Sequence, residues 1–344
     1  MEVAITSQLL YIFNFKGCER MVTKRKFISV ICCIILTSIL IYQSGELLSP
    51  DFSGDCINAQ KAFDKLPSGS AEVIVYGSSH AWKGFSISEA YNKYGLAVYN
   101  YGSNWQHINT TALYFYDSLR TQSPKVAVIE CFLAGEALYD TDLNGEILYT
   151  RNITFLSEKT NYLKQCFGNK PERYLSYYMP LYTFHDNWAN LTKYKFVNPT
   201  TVVSIYSQLG YLPSDDITEV DINYSEFDQF PLSDKAKETL DGIVDRCKKE
   251  GIEIVFYTAP YKGEYVYCEA MKEYAKENDC AWINLFEKSD EAGIDYKTDF
   301  QDIGHLNDSG ARKVADYISK FLVENYNLSD IRNVKENEWE KVLH

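Results

Sequence analysis

Three things are scarce in this 344-residue chain, and each scarcity closes off a class of function. There are nine cysteines but no CxxC pair and no metal-type spacing, so neither a zinc motif nor a paired redox motif is present and no metal or organic cofactor is expected. Cys131 and Cys247 fall on strand or core-facing helix positions and read as small hydrophobes, and the choice of any disulfide partner stays open. Lysine and arginine form no rich patch beyond the N-terminus, and the net charge is −13, which argues against nucleic acid as a partner. A small-residue cleavage site is missing between Gln43 and Pro50, after the long apolar run, so that run reads as an uncleaved anchor and not as a removed signal peptide.

That run is residues 27 to 42, FISVICCIILTSILIY, which carry no charge and directly follow Lys24-Arg25-Lys26. A basic flank marks the cytoplasmic side, so the expected plan is a cytoplasmic N-terminus over 1–26, a single membrane span over 27–43 and an extracytoplasmic remainder. The run is shorter than the roughly 20 residues of a full crossing. Met21-Val22-Thr23-Lys24 would be an ordinary opening for such an anchor, so both Met1 and Met21 stand as possible starts. Residues 44–70, with Gly, Ser, Pro and mixed charge, read as a linker.

Beyond the linker, short apolar runs alternate with amphipathic stretches. Strands are expected at about 72–76, 96–101, 125–132, 252–257 and 281–285, and helices at 86–94, 106–120, 233–250, 264–277 and from Ala311 to Leu322. Ser233 can cap one helix and Gly251 stop it. This alternation implies a five-stranded parallel sheet with right-handed crossovers, an α/β flavodoxin-like three-layer sandwich over 71–325. Residues 134–232 break the rhythm. They are rich in tyrosine, with Tyr174, Tyr177, Tyr178, Tyr182 and Trp188, and read as a partly helical insertion whose aromatic side chains either wall a groove or pack as core. Residues 326–344 are polar and read as a peripheral tail.

The chemistry gathers at two places. Val73-Ile74-Val75-Tyr76-Gly77-Ser78-Ser79-His80 reads as a buried strand ending on a glycine, with serines at the bend into a helix, where backbone N–H groups favour developing negative charge. Far downstream, Asp302-Ile303-Gly304-His305 precedes the last amphipathic helix and offers a base with its orienting carboxylate. All of these sit at the carboxyl edge of the expected sheet, where open α/β folds bind ligands.

In these blocks the sequence resembles the SGNH, or GDSL-type, hydrolases: Gly77-Ser78-Ser79-His80 stands at the nucleophile block, Asn100-Tyr101-Gly102 at the glycine block and Asp302-Ile303-Gly304-His305 at the Asp-x-x-His block. The resemblance covers about 70–132 and 233–325. It implies Ser79 as nucleophile, His305 as general base and Asp302 as the orienting carboxylate, with Asp299 a nearby alternative orienter. It also implies that Ser79 and Gly102 supply backbone N–H groups to an oxyanion. The chain departs from the pattern after strand three, where Ile129-Glu130-Cys131-Phe132 replaces the usual Gly-x-Asn-Asp, so the third oxyanion donor is absent or supplied by Asn104 or His80. The candidate substrate contacts are His80, Trp105 and His185; His185 lies in the insertion, where a structural role is the favoured reading and lining an acceptor groove the alternative.

The anchor, the Gly-Ser-Ser block and the altered third block together resemble the cell-surface branch of the family, which includes the D-alanine transfer protein of teichoic acid modification and the SGNH proteins of polysaccharide O-acetylation. The resemblance implies a serine esterase or O-acyltransferase acting on a cell-envelope polysaccharide or teichoic-acid-like acceptor, beside a membrane-bound O-acyltransferase. The alternatives are a D-alanyl thioesterase or transfer protein and a non-catalytic glycan-binding scaffold.

Overall fold

The computed structural model describes residues 26–49, 59–60, 62–139, 149–151, 153, 157–191, 209–335 and 337–343. The proposed starts at Met1 and Met21, most of the basic flank, much of the linker, and 140–148 and 192–208 of the insertion lie outside the described residues. The chain divides into two compact units, Met1–Pro50 with Leu175–Phe196, and Asp51–Tyr174 with Val197–His344.

The first unit contains helix α1, Lys26–Leu48, 23 residues long and exposed along its apolar length. At about 1.5 Å per residue such a helix reaches about 34 Å, enough for a hydrocarbon core of about 30 Å, so by length and composition it is able to cross a membrane. It outruns the apolar run read from sequence because Gln43-Ser44-Gly45-Glu46 stay helical: polar side chains do not stop a helix whose backbone bonds are all internal. Its last carbonyls find partners, Ser49 Oγ donating to Gly45 O at 2.9 Å and Asn187 Nδ2 to Leu48 O at 3.1 Å.

In the second unit the apolar runs become five parallel strands: β1 Val73–Tyr76, β2 Val98–Asn100, β3 Val126–Glu130, β5 Glu253–Thr258 and β7 Ala281–Asn284, in the order β2-β1-β3-β5-β7. β1 pairs with β2 through Val73 opposite Val98 and with β3 through Val73 opposite Val126, so the order reverses between β1 and β3. β1, β2 and β3 are buried along their whole length, as expected of parallel strands covered on both faces. The covering helices include α3, Ile87–Tyr94, which packs against the last long helix α11, Asp308–Asn325, and α4, Ile108–Ser118, which packs against α8, Asp234–Glu250. Ser233 caps α8 by accepting from Ala236 N–H at 3.2 Å, and Gly251 ends it in the left-handed region. In chain order α5 Ser157–Phe167 and α6 Pro171–Tyr178 follow β3, and from Leu175 the chain runs through the first unit, which holds α7 Pro180–Phe184. Tyr177 is buried and Tyr174 is half-buried, donating to Gly168 O at 3.1 Å, whereas Tyr178, Tyr182 and Trp188 are exposed.

Two expectations are corrected. The helix expected over 264–277 begins only at Cys268 (α9, Cys268–Glu277), because Tyr265–Val266 forms a short strand, β6, pairing in parallel with β4, Asp228–Gln229. The C-terminal tail is not peripheral: Trp339, in α12, Glu338–Leu343, is 2% exposed, and its indole N–H donates to Val98 O at 2.7 Å. A single large apolar side chain with one satisfied donor outweighs the polarity of its neighbours.

Candidate active site

The turn after β1 is forced by two constraints. Gly77 has φ +142°, and a Cβ there would stand 2.6 Å from Glu130 Cβ, so the chain leaves the sheet through a residue without a side chain. A single helical turn follows, α2, Ser79–Trp82, capped by Ser78, whose Oγ accepts from His80 N–H at 3.2 Å. The two serines then differ in access. Ser78 is 1% exposed and its hydroxyl donates to Glu130 Oε2 at 2.8 Å, whereas Ser79 is half-buried with its Oγ turned toward His305.

His305 arrives on the loop before α11. That loop is closed on itself by a bridge between Phe300 and Leu306 and by Gln301 N–H donating to His305 O at 3.0 Å, and Lys262 N–H ties it at Ile303 O at 2.9 Å. Asn307 caps α11 by accepting from Gly310 N–H at 3.2 Å. Held there, His305 places Nε2 2.7 Å from Ser79 Oγ and Nδ1 2.9 and 3.0 Å from the two Asp302 carboxylate oxygens. A carboxylate opposite Nδ1 fixes that nitrogen as the N–H donor and leaves Nε2 as the acceptor for the serine proton.

The electrostatics follow from burial. Burial holds the His305 imidazole below its ordinary value, against the opposing pull of the hydrogen bond and charge of Asp302, while the Lys83 charge lowers it further. Burial also pushes the Asp302 carboxyl up, but hydrogen bonds from Gly304 N–H, the His305 ring and His305 N–H, together with the imidazole charge, outweigh it and keep the group below the ordinary carboxylate range. His80 is 5% exposed, and its ring packs tilted against Phe132 at 4.1 Å between centroids, with Tyr261 and His305 each at 5.1 Å. Burial, then the His305 charge, drives its imidazole well below the ordinary value, so it stands as a neutral wall beside His305.

The remaining expected residues are distributed as follows. The Ser79 main-chain N–H has no acceptor among the described residues. The Gly102 N–H is already engaged, donating to Asn100 Oδ1 at 3.3 Å, a long bond that competes with the outward role expected of it. Space at Gly102 is tight, since a Cβ there would meet Gly77 O at 3.1 Å. Asn104 is half-buried in the next turn, and Trp105, 63% exposed, holds the left-handed conformation at φ +49°. His185 belongs to the smaller unit, where its exposed ring bonds to Tyr182 O at 3.0 Å and pairs with Asp186 at 3.3 Å. Asp299 does not orient the base: it is fully buried and bound to Lys313 Nζ at 2.6 Å and Ser309 Oγ at 2.7 Å.

In sequence Glu130 stands only as a departure from the expected Gly-x-Asn-Asp. Its Oε2 accepts from both the hydroxyl and the N–H of Ser78, at 2.8 and 3.3 Å, and its Oε1 from Phe132 N–H at 2.6 Å. The signal is an acidic residue closing the apolar run Val126-Ala127-Val128-Ile129. Among the described residues no group of three or more His, Cys, Asp or Glu is arranged to hold a metal ion.

No protein-family model matches the chain, and no curated protein matches it. Among solved structures, it is similar to a Bacteroides fragilis protein assigned as an acylhydrolase, at 12% identity and a TM-score of 0.38, with 77% of this chain and 94% of that one covered.

Proposed function

We propose that this chain is a membrane-anchored, extracytoplasmic serine esterase or O-acyltransferase of SGNH type, acting on acyl esters, in particular acetyl esters, of a cell-envelope polysaccharide. The observation that carries the reading is the hydrogen-bonded series Ser79 Oγ, His305 Nε2, His305 Nδ1, Asp302, with the serine half-buried and its neighbour Ser78 sealed away. Ser79 Oγ attacks the acyl carbonyl carbon while His305 Nε2 takes its proton. The C–O bond to the leaving alkoxide breaks, the proton passes to that alkoxide, and an acyl-serine remains. His305 then deprotonates water or a sugar hydroxyl, whose attack releases Ser79 and gives hydrolysis or transfer. The Ser79 N–H is the oxyanion donor the geometry favours; Gly102 would join it by exchanging its long bond to Asn100, and Asn104 is the candidate for a third donor. One such donor is typically worth about 3 kcal/mol of transition-state stabilisation.

The anchor reading is supported by α1, and the outward orientation by the basic residues that precede it. Trp105, exposed and in a backbone conformation unusual for a bulky residue, is the proposed platform for a sugar ring. A membrane-bound O-acyltransferase is the proposed partner and acyl source. A D-alanyl thioesterase or transfer protein of teichoic acid modification would use the same serine. The scaffold alternative draws on the engaged Gly102 N–H and the missing Gly-x-Asn-Asp.

A fluorophosphonate probe decides between enzyme and scaffold. The expected outcome is labelling that Ser79→Ala abolishes and that Ser78→Ala slows without abolishing. A wild-type protein that stays unlabelled rules out the activated serine.

A further inference from the structure

We infer that Glu130 is a positioning residue for the nucleophile, holding Ser79 toward His305 by way of Ser78. The inference rests on the proposed role of Ser79. Glu130 closes β3 beside the β1 turn and is 3% exposed. One carboxylate oxygen takes both polar hydrogens of Ser78, and the other takes Phe132 N–H, so both oxygens are occupied by groups of the β1 turn and of the segment that follows β3. With its hydrogen committed to Glu130, the Ser78 oxygen presents lone pairs to His80 N–H, and this cap sets the turn whose first residue is Ser79. The absence of a side chain at Gly77 is what lets the carboxylate reach this position, because a Cβ there would lie 3.1 Å from Glu130 Oε2.

A carboxylate at this place does what an amide does not. It accepts on both oxygens and has no hydrogen to turn toward Ser78 N–H or Phe132 N–H. Its surroundings make that state dependent on pH. Burial pushes the Glu130 carboxyl up to about 7, against the hydrogen bonds from Ser78 and Phe132 that lower it. The titratable groups beside it are the buried Cys131 thiol, next along its own chain, and the buried Tyr257 hydroxyl, on the strand paired with β3 at Glu130 itself, both of which feel the Glu130 charge. Burial pushes both of these up, so they stay neutral through the range in which Glu130 titrates. Protonating Glu130 puts a hydrogen where an acceptor is required, and the Ser78 hydroxyl must turn.

The test is the rate of fluorophosphonate labelling of the full-length protein from pH 5 to 9, in wild type, Glu130→Gln, Ser78→Ala and the double variant, with Ser79→Ala as the blank. The wild-type profile is expected to show a limb near pH 7 as well as the lower limb of His305. Glu130→Gln is expected to label about 10- to 100-fold more slowly above pH 8, the scale of a misplaced nucleophile, and to lose the limb near 7 while keeping the lower one. Ser78→Ala, which removes only a hydroxyl and so tests the relay even where Glu130→Gln folds poorly, is expected to slow labelling similarly. The double variant is expected to be no slower than the worse single one, because the two residues act in series. Labelling of Glu130→Gln or Ser78→Ala at the wild-type rate, an unchanged limb near 7 in Glu130→Gln, or losses that multiply in the double variant would each overturn the inference while leaving Ser79 as nucleophile. A wild-type protein that does not label overturns the reading of Ser79 itself, and the role of Glu130 with it.

Discussion

His305 Nε2 and Ser79 Oγ stand 2.7 Å apart although 226 positions separate them in sequence. Parallel β-topology makes this possible. Each strand delivers its following loop to the same edge of the sheet, so the turn after β1 and the loop before α11 meet wherever intervening chain is inserted elsewhere. The turn that carries Ser79 follows β1, at the reversal of strand order between β1 and β3, the place where open α/β sheets bind ligands.

The carboxylate behind the base sets the first expectation. Asp302→Asn leaves a side chain of the same size that no longer stabilises the imidazolium, so kcat for an activated ester such as p-nitrophenyl acetate should fall about 10²- to 10⁴-fold with KM little changed. The Asp302 hydrogen bond and charge both raise the imidazole against the burial that lowers it. Their removal should move the His305 limb of the pH–rate profile to still lower pH. A limb that stays put or moves up would show that Asp302 does not govern the base.

Stability should also carry the mark of Glu130. Its folded value of about 7 lies above the ordinary 4.5, so the folded protein holds the proton more tightly than the unfolded chain does. Its contribution is therefore fully present below pH 4.5, declines as pH rises toward 7 and is absent above, a span of ~3 kcal/mol at most. Urea unfolding should show wild-type stability falling over that window relative to Glu130→Gln, and parallel pH profiles for the two proteins would refute the assignment.

Gly77→Ala should be costly for two separate reasons. The position lies at φ +142°, and the new Cβ would collide with Glu130 Cβ at 2.6 Å, a buried side chain held at both oxygens. A loss of about 2–4 kcal/mol in unfolding free energy is expected. A variant within 0.5 kcal/mol of wild type, on the scale of ordinary surface changes, would mean that the turn has another conformation open to it.

Trp339→Ala should destabilise the larger unit by about 3–5 kcal/mol, as loss of a large buried aromatic does. The indole fills space beside β2 and satisfies Val98 O, which lies on the edge strand of the sheet. Thermal unfolding of the variant, compared with that of a chain ending before position 326, should give similar losses. A wild-type melting temperature in either protein would return the tail to the periphery.

Much of this molecule was legible as sequence because its signals are local. The β-branched runs at 73–76 and 126–129, the cap at Ser233, the stop at Gly251 and the charge-free run after Lys26 each specify an element through backbone geometry or burial within a few residues. The choice of Ser79 over Ser78 came only from resemblance, since two adjacent serines are chemically identical until a fold buries one of them. Tertiary structure decided what depends on a partner far along the chain. It determined that Ser78 faces Glu130, that the Gly102 N–H is held by Asn100, that Asp299 is bound to Lys313 and so withdrawn from the base, and that Trp339 closes against β2. Those outcomes are set by which side chains share a few cubic ångströms of desolvated space, and that sharing exists only once the sheet has assembled.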